Sequence, residues 1–125
     1  MNKLIDERSQ DIIRLLNEIS HQEGLVNDIK MDSASDGVVG LIRGNNKTIL
    51  FKLLRRGNEI EAETIYSMFL KILDTNSHKG VILCPSLVNE SVENLAALYD
   101  IKIIPLGTRT EIERSLRTTM FQVFG

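Results

Sequence analysis

Apolar positions follow a helical rhythm at the start of the chain and a strand rhythm soon after. Between residues 4 and 20, Leu4, Ile5, Ile12, Ile13, Leu15, Leu16 and Ile19 recur at a spacing that gathers them on one helical face, and Gly24 supplies a stop. Three short strand-like segments follow, at 25–30, 37–43 and 47–54. The last two flank Gly44-Asn45-Asn46, a turn sequence that predicts an antiparallel hairpin. Gly57-Asn58 ends the third strand, and a helix comes next with Ile60, Thr64, Ile65, Met68, Phe69 and Ile72 on its buried side.

The second half alternates differently. The apolar run 80–84 is ended by Pro85-Ser86, and a helix then carries Val88, Val92, Leu95, Ala96 and Leu98. A further run, 101–106, is closed by Gly107. Thr110-Glu111-Ile112-Glu113 has the spacing of a capping box and opens a last helix with Ile112, Leu116, Met120 and Val123 in line. Apolar strands alternating with helices imply parallel pairing and a sheet covered on both faces. The predicted order is α-β-β-β-α-β-α-β-α, an α/β domain with a mixed sheet spanning residues 1–125.

Composition narrows the classes. A chain of 125 residues, 42% hydrophobic and 26% charged, is long enough for one real core. The apolar runs 48–51 and 81–85 are strand-sized and far short of a membrane span, and the acidic start MNKLIDERSQ resembles neither a secretion signal nor a transit peptide. A lone cysteine, Cys84, excludes an internal disulfide and makes a reducing cytoplasm the expected setting. A net charge of −2 gives no global pull on nucleic acid, so any such binding needs a local patch.

Lys52 stands out inside Ile49-Leu50-Phe51-Lys52-Leu53-Leu54, the most apolar stretch of the chain. A central strand buries both faces, and an unpaired ammonium there costs several kcal/mol or loses its proton. Either the side chain reaches the strand's end and snorkels, or a carboxylate, ion or phosphate meets it.

The hairpin Asp36-Gly37-Val38-Val39-Gly40, followed by a turn and Ile49-Leu50-Phe51-Lys52, resembles the motif of the PD-(D/E)XK restriction endonuclease-like superfamily. The downstream pieces are similar to its Mrr-type branch: Arg55-Arg56-Gly57, a helix, Lys79-Gly80-Val81-Ile82-Leu83, a small-residue helix at 91–98, and Ile101-Lys102-Ile103-Ile104. The resemblance covers roughly residues 5–106 and implies a metal-dependent nuclease site. In such a site two carboxylates at adjacent strand ends hold Mg²⁺, which polarises the phosphate and generates hydroxide. The lysine, two residues from one carboxylate and so on the same strand face, orients the attacking water and neutralises developing charge.

This chain departs from that pattern. Where the motif has Glu, Asp or Gln two residues before the lysine, it has Leu50, which cannot bind a cation. Asp36 fits the Asp-Gly form of the first ligand, but the branch often places that ligand at the end of D-G-x-x-D, which is Gly40 here. The first helix, which often supplies a Glu, offers Ser9 and Gln10. Some superfamily members move the second carboxylate to the helix after the lysine strand, where this chain has Glu59, Glu61 and Glu63. Asp36, Lys52 and Glu61 or Glu63 then reconstitute a site with Asp36 as metal ligand; otherwise the glutamates are first-turn acids favoured by the helix dipole and Asp36 is a turn residue.

Residues 41–57 contain Arg43, Lys47, Lys52, Arg55 and Arg56 and no acid. That is either a phosphate-contacting surface or a hairpin edge protected by charge. His21, His78 and Cys84 lack metal-ligand spacing, Ser86 lacks a partner histidine, and no phosphate-binding glycine loop is present. The apolar end of the chain, 116–125, either packs on the domain or forms a subunit interface, and a homodimer is expected. Three functions fit: a nuclease-fold protein that has lost cleavage and retains a binding or assembly role, with DNA held through the 43–56 hairpin; a Mg²⁺-dependent DNA endonuclease with a migrated carboxylate; and a protein–protein interaction module.

Overall fold

Asn45 and Asn46 both adopt positive φ, 50° and 62°, and this pair of left-handed residues closes the hairpin. Two such residues in a two-residue loop give the turn whose twist matches that of the flanking strands, and Asn accepts that conformation better than most residues. The turn is also tied to the far end of the chain, since Asn45 Nδ2 donates to the Phe124 carbonyl at 2.8 Å. Asn45→Ala loses both the tolerated backbone conformation and this bond, and should lower stability by about 1–2 kcal/mol in a denaturant titration.

The computed structural model describes residues 7–32, 37–54, 60–84 and 88–125. Their order is α1 (Glu7–Gln22), β1 (Val26–Asp32), β2 (Gly37–Gly44), β3 (Lys47–Leu54), α2 (Ala62–Thr75), β4 (Lys79–Cys84), α3 (Glu90–Leu98), β5 (Ile101–Pro105) and α4 (Arg109–Phe124). The five strands lie side by side in the order β1-β2-β3-β4-β5. β2 is antiparallel to both β1 and β3, while β3–β4 and β4–β5 are parallel. The protein is therefore an α/β fold with a mixed five-stranded sheet and four helices.

Strand alternation divides the core into two layers. Ile49, Phe51 and Leu53 of β3, with Val81 and Leu83 of β4, pack against Ile12, Leu16 and Ile19 of α1 and Ile112, Leu116 and Met120 of α4. Leu50 and Leu54, with Ile82 and Cys84, pack on the other face against Ile65, Met68 and Ile72 of α2 and Ala96 of α3. Gly80 lets α2 lie close to β4, because a Cβ at that position would come within 2.7 Å of Ile72 Cδ1. Cys84 is wholly buried and unbonded, a small apolar core residue.

One local expectation is corrected. The last helix is capped by Thr108, not Thr110: Thr108 Oγ1 accepts from Glu111 N at 3.2 Å, and Thr108 N donates to Glu111 Oε1 at 3.4 Å. Both threonines are followed at the third position by a glutamate, and the strand ladder decides between them. Leu106 N still bonds the Cys84 carbonyl at 2.8 Å, so the helix starts as soon as the chain leaves the sheet. Of the apolar residues carried by α3, Leu98 is 81% exposed. Ala96 and its neighbours Val92, Leu95 and Tyr99 take the inner side instead.

The apolar end of the chain packs largely on its own domain. Leu116 and Met120 are buried, Val123 and Phe124 lean on the same cluster, and Phe121 remains exposed. No helix among the described residues is long and apolar enough to cross a membrane.

Candidate functional site

The site builds on β3, the middle strand. Lys52 lies opposite Val39 of β2 and Ile82 of β4, and Leu50 lies opposite Leu41 and Gly80. Alternation puts Leu50, Lys52 and Leu54 on the face covered by α2 and α3. Lys52 is 7% exposed and is held by a polar or electrostatic interaction, so burial of this lysine is a built feature of the fold. Lysine is almost never fully buried without an interaction of this kind, because an isolated ammonium in apolar surroundings costs several kcal/mol. Leu50 is 1% exposed and belongs to the apolar cluster under α2. The position two residues before the lysine is thus packing, with no oxygen to offer a cation.

The remaining candidates are distributed unevenly. Asp36, Arg55, Arg56 and Glu59 lie outside the described residues. Gly37, next in sequence to Asp36, is paired with Leu54, next in sequence to Arg55, so the start of β2 and the end of β3 lie at the same end of the sheet. Glu61 is the N-cap of α2, where its backbone N–H donates to Thr64 Oγ1 at 3.2 Å. It follows Ile60, which is buried in the same cluster as Leu50 and Leu54, so it is the helix acid that starts nearest that cluster. Glu63 is exposed and shares the outward face of α2 with Tyr66, Ser67 and Leu70, opposite Ile65, Met68 and Ile72. The helix turns Glu63 away from the sheet and from Lys52.

Asp28 of β1 is an acid that the sequence reading passed over. It lies in register with Leu41, and through Leu41 with Leu50, on the same sheet face. Two interstrand spacings put it roughly 10 Å from Leu50. It is exposed and engaged in a polar or electrostatic interaction. The sequence shows only an acid between Asn27 and Ile29 in the strand-like segment 25–30, with nothing to mark which face it takes. Among the described residues, no group of three or more His, Cys, Asp or Glu side chains is placed to hold a metal ion.

The basic run is divided by the hairpin that carries it. Arg43 and Lys47 are both exposed beside the turn, but they occupy adjacent register rows, Arg43↔Thr48 and Gly44↔Lys47, and so point to opposite faces. Leu54, the last residue before Arg55, lies roughly 23 Å along β3 from Lys47 at the usual rise per residue. Lys47 has other basic company that the sequence order concealed. With His78, Lys79, Asp100, Gln122 and Val123 it lines an open depression of about 240 Å³. His78 is fixed there by a reciprocal pair of bonds: its backbone N–H donates to the Thr48 carbonyl at 2.7 Å, and its Nδ1 accepts from Thr48 N at 3.1 Å. Lys79 pairs with Asp100 at 3.1 Å. His21, Ser9 and Gln10 belong to α1.

No protein-family model and no curated protein matches this chain.

Proposed function

We propose that this protein has the restriction endonuclease-like fold with an eroded active site, and that it binds nucleic acid or serves in an assembly without cleaving. The carrying observation is the pair on β3: a buried, engaged Lys52 with a fully packed Leu50 two residues earlier on the same face. A nuclease of this kind uses that lysine beside a carboxylate that holds the metal. Leu50 removes the carboxylate and leaves the lysine as a structural cation. Mg²⁺ has a role here only if Asp36 and a helix acid such as Glu61 rebuild the site, in which case they hold the ion and Lys52 orients the water.

Nucleic-acid contact is assigned to the turn end of the hairpin, which offers phosphate a cation on each face, Arg43 on one and Lys47, with His78 and Lys79 beside it, on the other. These groups meet phosphate as point charges, so the binding is salt-sensitive and blind to sequence. A homodimer belongs to the same reading, with Phe121, 75% exposed, available for the contact.

The test is retention of labelled duplex and four-way-junction DNA across a salt series, with the bound DNA recovered and sized. Binding should weaken linearly in log salt, and Arg43→Gln with Lys47→Gln should lower the slope by about 1 for each cation removed, with the DNA intact. Absence of any salt-dependent binding, or a double variant indistinguishable from the parent, contradicts the assignment to this hairpin.

A further inference from the structure

Four of the six strongly exposed large apolar side chains among the described residues sit on one layer, that of α2 and α3: Tyr66, Leu70, Leu73 and Leu98, at 47, 65, 57 and 81% exposure. The three on α2 are spaced i, i+4, i+7 and fall within an arc of about 60° at 100° per residue. They form a stripe on the outer side of a helix whose opposite side, Ile65, Met68 and Ile72, is already spent on the sheet. Tyr99 at the end of α3 meets the ring of Tyr66 edge-on at 5.8 Å and that of Phe69 at 4.7 Å, so the two helices join into one surface there. An amphipathic helix needs one apolar face, and this one has two.

The charges around the stripe are of one sign. Residues 61–100 hold six acids (Glu61, Glu63, Asp74, Glu90, Glu93 and Asp100) and two lysines, in a chain with 17 acids and 15 bases overall. Lys79 is paired with Asp100, and Lys71 is half-buried and engaged. Glu63 and Asp74 stand at the two ends of the stripe on its exposed side. This surface repels phosphate, so it is not a continuation of the hairpin's nucleic-acid contact. It also disfavours a second copy of itself: antiparallel packing of two α2 helices brings Glu63 of one toward Asp74 of the other.

We infer that the outer face of α2, closed by the end of α3, docks a basic amphipathic helix of another protein, one with leucine-type side chains at helical spacing and lysine or arginine flanks. The mode is helix against helix: the partner's apolar side chains cover Tyr66, Leu70 and Leu73, and its cations meet Glu63 and Asp74. This site is independent of the nuclease reading, and its success or failure leaves that reading where it stands.

The probe is a designed helical peptide with leucines at i, i+3 and i+7 and lysine flanks, set beside a peptide with the same leucines and glutamate flanks. Binding is followed by fluorescence anisotropy, with methyl NMR shifts to locate it. The lysine peptide should bind with one-to-one stoichiometry and shift Leu70 and Leu73. Its affinity should fall at least about tenfold for Leu70→Gln with Leu73→Gln, a loss typical of removing interface anchors. A smaller loss is expected for Glu63→Gln with Asp74→Asn, and the glutamate peptide should bind at least about tenfold more weakly than the lysine peptide. All four positions are on the surface, so unchanged melting curves confirm folded variants. No binding of the lysine peptide, equal binding of the two peptides, or equal affinity for parent and Leu70/Leu73 variant overturns the inference. So does self-association of the parent that the Leu70/Leu73 variant abolishes, which would assign the face to a second copy.

Discussion

Lys52→Met should lower stability by about 3 kcal/mol, the scale of removing one partner from a buried polar or ionic contact. Methionine keeps most of the apolar stem, so the change isolates the ammonium. Lys52 is 7% exposed and engaged in an interaction, and taking away a charge that a buried contact uses leaves the other group unsatisfied. For a chain of this length the loss corresponds to a melting temperature lower by roughly 10 °C. Lys102, exposed on β5, is the control: Lys102→Met should stay within about 0.5 kcal/mol of the parent. Equal effects of the two substitutions would reduce Lys52 to an ordinary surface charge and remove the structural half of the argument.

The second large effect is expected at the position before it. Leu50→Glu restores the carboxylate that the nuclease motif calls for, but at a site 1% exposed and packed among Ile65, Met68 and their neighbours. Burying a carboxyl in an apolar cluster and losing the leucine's packing together should cost about 4 kcal/mol at pH 7. The pH dependence has a definite sign. Desolvation holds the introduced carboxyl neutral in the folded state, while the unfolded chain ionises it above about pH 4.3. The variant is therefore most stable below that pH and loses stability as pH rises toward the raised folded value. If instead the variant is nearly as stable as the parent and its stability is flat with pH, Lys52 has accepted the carboxylate as an ion-pair partner. The site would then be latent rather than lost.

Much of the fold was legible because its signals are local. The strand rhythm at 47–54 and the paired asparagines set β3 and the hairpin directly, and the apolar company of Lys52 foretold its burial. The failures share one cause, that neighbours in sequence were treated as neighbours in space. Arg43 and Lys47 look like one patch along the chain, yet adjacent hairpin rows turn them to opposite faces. Glu61 and Glu63 form a single acidic cluster on paper. In the fold one caps the helix beside the core while the other faces outward with Tyr66 and Leu70. Asp28 was invisible for the converse reason, because only the register across β1, β2 and β3 puts it on the face of Leu50.

The central claim is that the nuclease-like arrangement on β3 persists without its chemistry. Its most direct test is incubation of the purified protein with linear duplex, nicked and branched DNA in Mg²⁺ and in Mn²⁺, beside Lys52→Ala. With Leu50 at the ligand position, the account predicts that every substrate stays intact and that parent and variant give the same result. Metal-dependent cleavage by the parent that disappears in Lys52→Ala would contradict it, and would show that Lys52 works beside a carboxylate supplied from elsewhere in the chain.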